Sequence, residues 1–346
     1  MTLQIVAVLN CFLTLRFVTF LQTLRVLALI APLTLSNSNA IMSLPETIVF
    51  GEKINMDTKN EYTMLNSPIK WVGGKSRLRK PIIDLLPAHT CYVEVFGGAA
   101  WVLFGKPPSD VEVLNDKDSE LINFFRIVRE QPDKFLQSFD LELVSRAEFQ
   151  RLAALNTQNL NEMQRAHRFY YLIMAGWGGE LNYPRFQTST NDGGHGNRLI
   201  GALETLRKRI EPIHNRLRTV IIENLAWDKC IDRYDTDNTI MYLDPPYPDN
   251  GVNYFYNMRD WADHRQLAAR ISRTKCKWIL SSYDSDEVHQ LFNGYHYTYV
   301  TSASGMKAKK NGKERVLNRE VLITNFEPPS SKGYGIPIES KQLRLF

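Results

Sequence analysis

Thr239-Ile240-Met241-Tyr242-Leu243-Asp244-Pro245-Pro246-Tyr247 is the stretch from which the fold is read. The first five residues form an apolar run bounded by turn residues, the pattern of a buried strand. Two consecutive prolines cannot continue a sheet ladder, because neither has an N–H and both fix φ. The backbone therefore leaves the sheet stiffly, with a carboxylate before the prolines and an aromatic ring after them. The Pro245 carbonyl adds a second acceptor beside Asp244. Such a turn fits a planar amino group held between two acceptors and under an aromatic face. A plain strand-ending turn is the alternative.

Working outward, similar strand-and-turn units recur on both sides. Upstream, Cys91-Tyr92-Val93-Glu94-Val95-Phe96-Gly97-Gly98-Ala99-Ala100 reads as an apolar strand running into a glycine turn and a helix start. The G-x-G-x-x-G dinucleotide fingerprint is absent, which suits a cofactor without a pyrophosphate. A second strand, residues 111–114, delivers Asn115-Asp116. An acid there is placed to grip ribose hydroxyls, the reading the preceding glycine turn favours over a simple cap for the helix beginning near Ser119. Before both strands, Pro68-Ile69-Lys70-Trp71-Val72-Gly73-Gly74-Lys75 makes a tight glycine turn, and a helix is predicted over 78–86. Downstream, strands are expected at 219–223, 277–282, 295–302 and 320–324, the last two as an antiparallel pair, with a helix at 263–272. The count is about seven strands, mostly parallel, with an antiparallel tail and a helical insertion between the second and third.

That insertion, within residues 119–218, carries apolar faces at helical spacing. It also holds a long stretch, Gly176 to Asn197, rich in Gly, Asn, Thr and Ser and containing Trp177, Tyr183, Arg185 and Phe186. A connector of that length in a compact domain points to a binding loop. Arg207, Lys208, Arg209, Arg216 and Arg218 follow, as a solvated basic face or as phosphate contacts. A second basic segment spans Lys307, Lys309, Lys310, Lys313, Arg315 and Arg319.

Composition agrees with a globular protein of 346 residues, 44% hydrophobic and 23% charged, with a net charge of +5 that permits a polyanionic partner without demanding one. The cysteines Cys11, Cys91, Cys230 and Cys276 form no Cys-x-x-Cys pair, and the histidines show no ligand spacing, so neither a metal site nor a disulfide framework is expected. A reducing cytoplasm is the compartment this implies. Residues 1–35 are apolar but interrupted by Arg16 and Arg25. They read as an upstream extension of the reading frame, a poor signal or anchor, or an amphipathic helix, of which the first is preferred because Met42, Met56 and Met64 precede the ordered domain. Residues 36–66 read as linker.

Five blocks in order carry a family resemblance. They are Lys70-Trp71-Val72-Gly73-Gly74-Lys75, Glu94-x-Phe96-Gly97-Gly98, Asn115-Asp116, Asp244-Pro245-Pro246-Tyr247 and Asn318-Arg319-Glu320-Val321-Leu322-Ile323. From about residue 69 to residue 326 the chain resembles the Dam-like DNA adenine-N6 methyltransferases, the D12 class of adenine-specific methylases. Val72 departs from the family's usual Ala. Gln187 departs from a frequent Gly in the loop Gly178-Gly179-Glu180-Leu181-Asn182-Tyr183-Pro184-Arg185-Phe186, which puts the target sequence in doubt more than the activity.

The resemblance implies an α/β, Rossmann-like S-adenosylmethionine-dependent methyltransferase sheet plus a helical target-recognition insertion. The catalytic domain would be 67–132 with 219–328, the insertion 133–218, and residues 1–66 and 329–346 an extension and a tail. It implies S-adenosylmethionine held by Trp71, Lys75, Phe96, Gly97, Gly98, Asp116, Trp227, Asp228 and Asp244, with Trp227 stacking on the cofactor's adenine. Catalysis would fall to Asp244, Pro245, Pro246 and Tyr247, acting on a flipped-out adenine. Asn182, Arg185 and Gln187 would read base edges, and Lys307, Lys309, Lys310, Lys313 and Arg315 would hold phosphates. Duplex DNA is the implied partner, a restriction endonuclease a possible counterpart, and a monomer without membrane attachment the expected state. Cytosine-N4 chemistry, methylation of RNA or of a protein amide, and a catalytically silent DNA-binding regulator on the same fold are the competing readings.

Overall fold

The computed structural model describes residues 62–177, 184–188, 196–248, 258, 260–303 and 317–329. The extension up to residue 61, Asn182, the basic segment Lys307, Lys309, Lys310, Lys313 and Arg315, and the tail from residue 330 lie outside them.

Seven strands form one sheet: β1 (Cys91–Glu94), β2 (Val111–Asn115), β3 (Val220–Glu223), β4 (Thr239–Leu243), β5 (Lys277–Tyr283), β6 (His296–Ala303) and β7 (Leu317–Thr324), in the spatial order β3-β2-β1-β4-β5-β7-β6. The first five are parallel, and β7 runs antiparallel to both β5 and β6. The expected antiparallel pair is present. Its order was not foreseen: β7 is inserted between β5 and β6, pairing Tyr283 with Glu320.

All five residues of β4 are buried. Helices cover both faces of a parallel sheet, so its central strands read as continuous apolar runs. Side chains still alternate between the faces. Ile240 and Tyr242 join one core cluster and Met241 and Leu243 the other, as do Ile279 against Trp278 and Leu280 on β5.

The helices are α1 (Arg79–Asp84), α2 (Trp101–Gly105), α3 (Ser119–Glu130), α4 (Pro132–Gln137), α5 (Arg146–Ala154), α6 (Glu162–Ala175), α7 (Arg198–Glu204), α8 (Leu206–Leu217), α9 (Trp227–Tyr234), α10 (Trp261–Ile271) and α11 (Asp286–Leu291). Helices α3 to α8 make up the insertion between β2 and β3. Two of them show why they begin where they do. Asp118 accepts from the amides of Glu120 and Leu121 to start α3, and Asn161 and Gln164 form a reciprocal capping box on α6. An aromatic cluster of Phe124, Phe135, Phe139, Phe169 and Tyr170, with centroids 5.3–5.9 Å apart in six of its pairs, then packs the insertion together.

Residues assigned to the linker are attached to this body. The Tyr62 hydroxyl and the Leu65 amide both donate to the Phe104 carbonyl, each at 3.0 Å. The Arg79 guanidinium donates to the Leu65 carbonyl and to Asn66. Polarity made 62–66 read as linker, but what orders them is a helix C-terminus whose last carbonyls need donors.

Among the described residues no helix is long and apolar enough to cross a membrane, and no cluster of metal-ligating side chains occurs.

Candidate active site

Strands β1 and β4 are neighbours, yet β1 leads on to β2 on one side and β4 to β5 on the other. In an open α/β sheet a crevice opens at the carboxyl ends of two such strands, and ligands bind there. Glu94 pairs with Tyr242 in register and the Val95 amide donates to the Tyr242 carbonyl at 3.1 Å. The segments 95–98 and 244–247 therefore leave the sheet side by side at this crevice.

The turn after β1 is shaped by contacts that exclude side chains. The Gly97 amide donates to the Asn115 carbonyl at 2.7 Å, and a Cβ on Gly97 would lie 2.4 Å from Leu114 Cδ1 and 2.9 Å from that carbonyl. Gly98 has φ +48°, and its amide donates to Asp116 Oδ2 at 2.9 Å. Asp116 Oδ1 accepts from the Asp118 amide at 2.9 Å. The helix cap considered for Asp116 thus belongs to Asp118, two residues on. Asp116 ties the end of β2 to the glycine turn. Burial raises the pKa of Asp116 against the pull of its amide donors, and burial, followed by the charge of Asp116, lifts that of Asp118 to about 6.

Asn115 joins three strand ends. Its amide group donates to the Val95 carbonyl at 2.8 Å and to the Leu225 carbonyl at 3.2 Å, while its oxygen accepts from the Leu225 amide at 2.8 Å. Phe96 and Trp227, the first residue of α9, are half-buried against the same apolar cluster. Asp228 is half-buried, 3.8 Å from Lys229. Trp71 stacks on Phe169 at 6.1 Å, and its indole would contact any Cβ placed on Gly98.

Lys75 brings the glycine turn of residues 71–75 to the Asp244 turn. Its ammonium lies 2.8 Å from Asp244 Oδ1, 3.9 Å from Glu320 Oε2 and 4.8 Å from the centre of the Tyr247 ring, and donates to the Gly73 carbonyl at 3.1 Å. The Lys75–Asp244 approach is an ion pair without hydrogen-bond alignment, which leaves Asp244 Oδ1 buried and short of a directed donor. Burial raises the Asp244 pKa, and Lys75 opposes the rise. Tyr247 is 7% exposed, its ring edge-on to Tyr283 at 4.5 Å and its hydroxyl 3.5 Å from Glu320. Beneath the prolines, His264 of α10 reaches the Pro246 and Met258 carbonyls at 3.1 and 3.2 Å. Glu94, 1% exposed, accepts from the Tyr92 hydroxyl and the Leu103 amide, and burial lifts its pKa to about 7.

Asp244, Pro245, Pro246, Tyr247, Lys75 and the glycine turn thus converge at the carboxyl edge. Glu320, Tyr283 and His264 belong to the same place but were not singled out as site residues. Glu320 sits in the last of the five motif blocks. Only the insertion of β7 beside β5 shows which site that block serves.

The loop between Gly176 and Asn197 is described only at its neck. Gly176 and Phe186 form an antiparallel bridge, the Trp177 amide donates to the Arg185 carbonyl at 2.7 Å, and the Gln187 amide to the Ala175 carbonyl at 2.9 Å. Arg185 is exposed. Gln187 is otherwise engaged: its side-chain oxygen accepts from Arg198 Nε and its carbonyl from Asn197 at 2.7 Å.

A seven-stranded sheet of this order, with its site at the switch point, is a Rossmann-like methyltransferase fold. Residues 71–306 match the model of the D12 class N6 adenine-specific DNA methyltransferases, and the chain belongs to that family. Its relatives include the Type II methyltransferase M.CviBI of Paramecium bursaria Chlorella virus NC1A, 25% identical over 66% of this chain and 87% of that protein. The Type II methyltransferase M1.LlaDCHI of Lactococcus lactis subsp. cremoris is 24% identical over 79% of this chain and 99% of its own length. A DNA adenine methylase of Haemophilus influenzae is 24% identical over 73% and 91% respectively. The activity is therefore methylation of DNA at the N6 of adenine, rather than at cytosine N4.

Proposed function

We propose that this chain methylates adenine within a specific duplex sequence, with Asp244 and the Pro245 carbonyl as acceptors for the N6 amino group and S-adenosylmethionine as methyl donor. One observation carries this reading: at the switch point, a buried carboxylate oxygen is held beside a lysine, without an aligned donor, at the end of a stiff diproline turn. The surrounding residues fit the donor. Gly97 and Gly98 keep side chains off the β1 turn, and Asp116, Phe96, Trp227 and Trp71 supply an acid and aromatic faces around it. Lys75 suits a carboxylate as a charge-assisted partner. When bound, S-adenosylmethionine supplies an electrophilic sulfonium methyl group.

The exocyclic nitrogen of adenine is a weak nucleophile because its lone pair is delocalised into the ring. Accepting hydrogen bonds from its two N–H groups at Asp244 and the Pro245 carbonyl favours a pyramidal nitrogen with a localised lone pair. As the N–CH₃ bond would form and the donor's S–CH₃ bond break, the Asp244 charge steadies the positive nitrogen until its proton passes to solvent. Positioned proton acceptance is typically worth ~10²–10⁴ in rate, and alignment supplies much of the rest. Inside a duplex the amino group is out of reach, so the base is flipped out at a cost of about a few kcal/mol. Stacking on Tyr247, worth roughly 1–3 kcal/mol, offsets that cost. The Lys75 ammonium lies over the Tyr247 ring and against Asp244 in this structure, so the incoming base takes its place at both.

Residues 67–132 and 219–328 would act as the catalytic domain and 133–218 as the target-recognition insertion. Arg185, exposed at the loop neck, is the described residue best placed to read a base edge, and Gln187 supports the neck through Arg198. The type II names of two relatives support a restriction endonuclease counterpart. The test is methyl transfer from labelled S-adenosylmethionine to plasmid DNA, followed by nucleoside analysis. N6-methyladenine at one sequence context is expected; label in cytosine, or in none of many plasmid sequences, would overturn the proposal.

A further inference from the structure

A cleft of about 510 Å³ lies between the segment 64–79 and helix α8, outside the site described above. Its floor is apolar, formed in part by Ile69, Trp101, Pro212 and Ile213, and its charged lining residues are Lys70, Arg79, Lys208 and Arg209. None of its lining residues is acidic. We propose that this cleft seats the phosphodiester backbone of the same duplex whose adenine enters at Asp244. The proposal rests on the reading of the chain as an enzyme acting on duplex DNA.

Three observations carry it. The first is charge without neutralisation. Arg207, the preceding residue on α8, is paired with Glu211 at 2.8 Å. Lys208 and Arg209, both exposed, form no ion pair with a described carboxylate, and neither does Lys70. Among the described residues Arg79 donates to a backbone carbonyl and an asparagine, and it lies over the Trp101 ring at 5.5 Å. The second is convergence. The charges of Arg198 and Arg209, after burial, depress the pKa of Lys70, so three cations from three segments crowd one another. A phosphodiester relieves that repulsion, and counterion release adds to the gain.

The third is position. Helix α8 leads into β3, which starts at the amino edge of the sheet, so the first turn of α8, with Lys208 and Arg209, lies towards the carboxyl edge. Ser76 lines the cleft and is the chain neighbour of Lys75, whose ammonium touches Asp244. Trp101 lines it too, and its indole lies 2.9 Å from where a Cβ on Gly74 would stand. One glycine turn therefore separates the cleft from the catalytic turn. At ~3.4 Å per nucleotide step, the phosphates it reaches are within a few nucleotides of the target.

The experiment compares wild type, Lys208→Gln/Arg209→Gln and the single exposed change Lys208→Glu, which leaves the α8 core side chains in place. Affinity for duplexes with and without the methylated site is measured across a salt series, and phosphate ethylation interference is mapped on the wild type and the variants. The double variant should bind both duplexes more weakly, with a log–log salt slope shallower by about 1.8, or ~0.9 per contact. That makes its affinity loss between about 50 and about 200 mM salt roughly tenfold smaller than wild type's. Site preference should stay as in wild type, and Lys208→Glu should shift slope and affinity in the same direction. Interference should vanish at one or two phosphates within a few nucleotides of the target adenine. Wild-type slope and interference in both variants, with wild type binding and methylating DNA, would overturn the cleft. Failure of the wild type itself to bind or methylate DNA would instead overturn the functional reading on which it rests.

Discussion

The sheet carries a buried ionic cluster at each edge, and the two are built on opposite terms. At the amino edge one carboxylate faces two cations. Glu112 of β2 accepts from Lys106 at 2.6 Å and from Arg216 Nη2 at 2.7 Å, while its second oxygen takes Arg216 Nη1. Arg216 reaches on to the Leu103 carbonyl, and Lys106 to the Pro107 carbonyl and Ser109. Burial alone would raise the Glu112 pKa, but Arg216 and Lys106 outweigh it and hold it low. At the carboxyl edge the ratio is inverted. The single ammonium of Lys75 is within reach of two carboxylates, Asp244 and Glu320, and the pKa of Asp244 is raised. The first cluster satisfies both Glu112 oxygens within the fold, leaving only Arg216 Nε without a partner among its described nitrogens, and locks α8 to β2. The second keeps a buried acceptor short of a donor, which is what a substrate amino group can supply.

Removing a carboxylate from each edge should therefore have opposite consequences. Glu112→Ala leaves Arg216 and Lys106 buried without their partner and should cost about 3–5 kcal/mol of stability, read by denaturant unfolding. The folded fraction should keep its methylation rate. A loss below ~1 kcal/mol would show that the amino-edge cluster is not the lock described.

Next in size is the recognition neck. Arg185→Ala should lose ~1–3 kcal/mol of discrimination at one base pair, measured on cognate against singly altered duplexes, with little change in salt slope. Relaxed binding to every duplex alike would place Arg185 on phosphates instead.

The pH dependence separates the edges in sign. Glu112, with its pKa held below the ordinary value, contributes stability above that value that is lost as pH falls through the depressed one. Glu94 behaves in reverse. Its pKa of about 7 in the fold means that the native state binds the extra proton between about 4.5 and 7, so stability declines as pH rises through that window. Glu94→Gln keeps an acceptor for Tyr92 and the Leu103 amide and should flatten that decline in melting temperature between pH ~5 and ~8. An unchanged slope would mean that Glu94 is ionised throughout.

The smallest effect concerns the chain start. A protein beginning at Met64 loses the Tyr62 hydrogen bond to Phe104, at a cost of about 1 kcal/mol, whereas one beginning at Met56 keeps it. Equal stability of the two would show that the attachment at Tyr62 adds nothing.

Much of the fold was legible because its signals are local. Residues 239–243 are apolar and end at two prolines, and β4 has those bounds. The glycine turns and the helical insertion between the second and third strands were equally readable. What escaped depends on distance across the fold. Asp116 and Asp118 are both good cap residues two positions apart, and only the backbone course decides that Asp118 caps α3 while Asp116 holds Gly98. Glu320 lies 73 positions from Tyr247, and no periodicity announces that β7 slips between β5 and β6 to join them. Gln187 has the chemistry of a base reader, yet Arg198, eleven positions on, occupies its side-chain oxygen.

The most direct test is single-turnover methylation by Asp244→Ala beside wild type, with unfolding measured on the same samples. The rate should fall by at least ~10² while stability falls by less than in Glu112→Ala, because the carboxyl-edge acid serves the substrate more than the fold. A wild-type rate in Asp244→Ala, or a stability loss matching that of Glu112→Ala, would contradict the account.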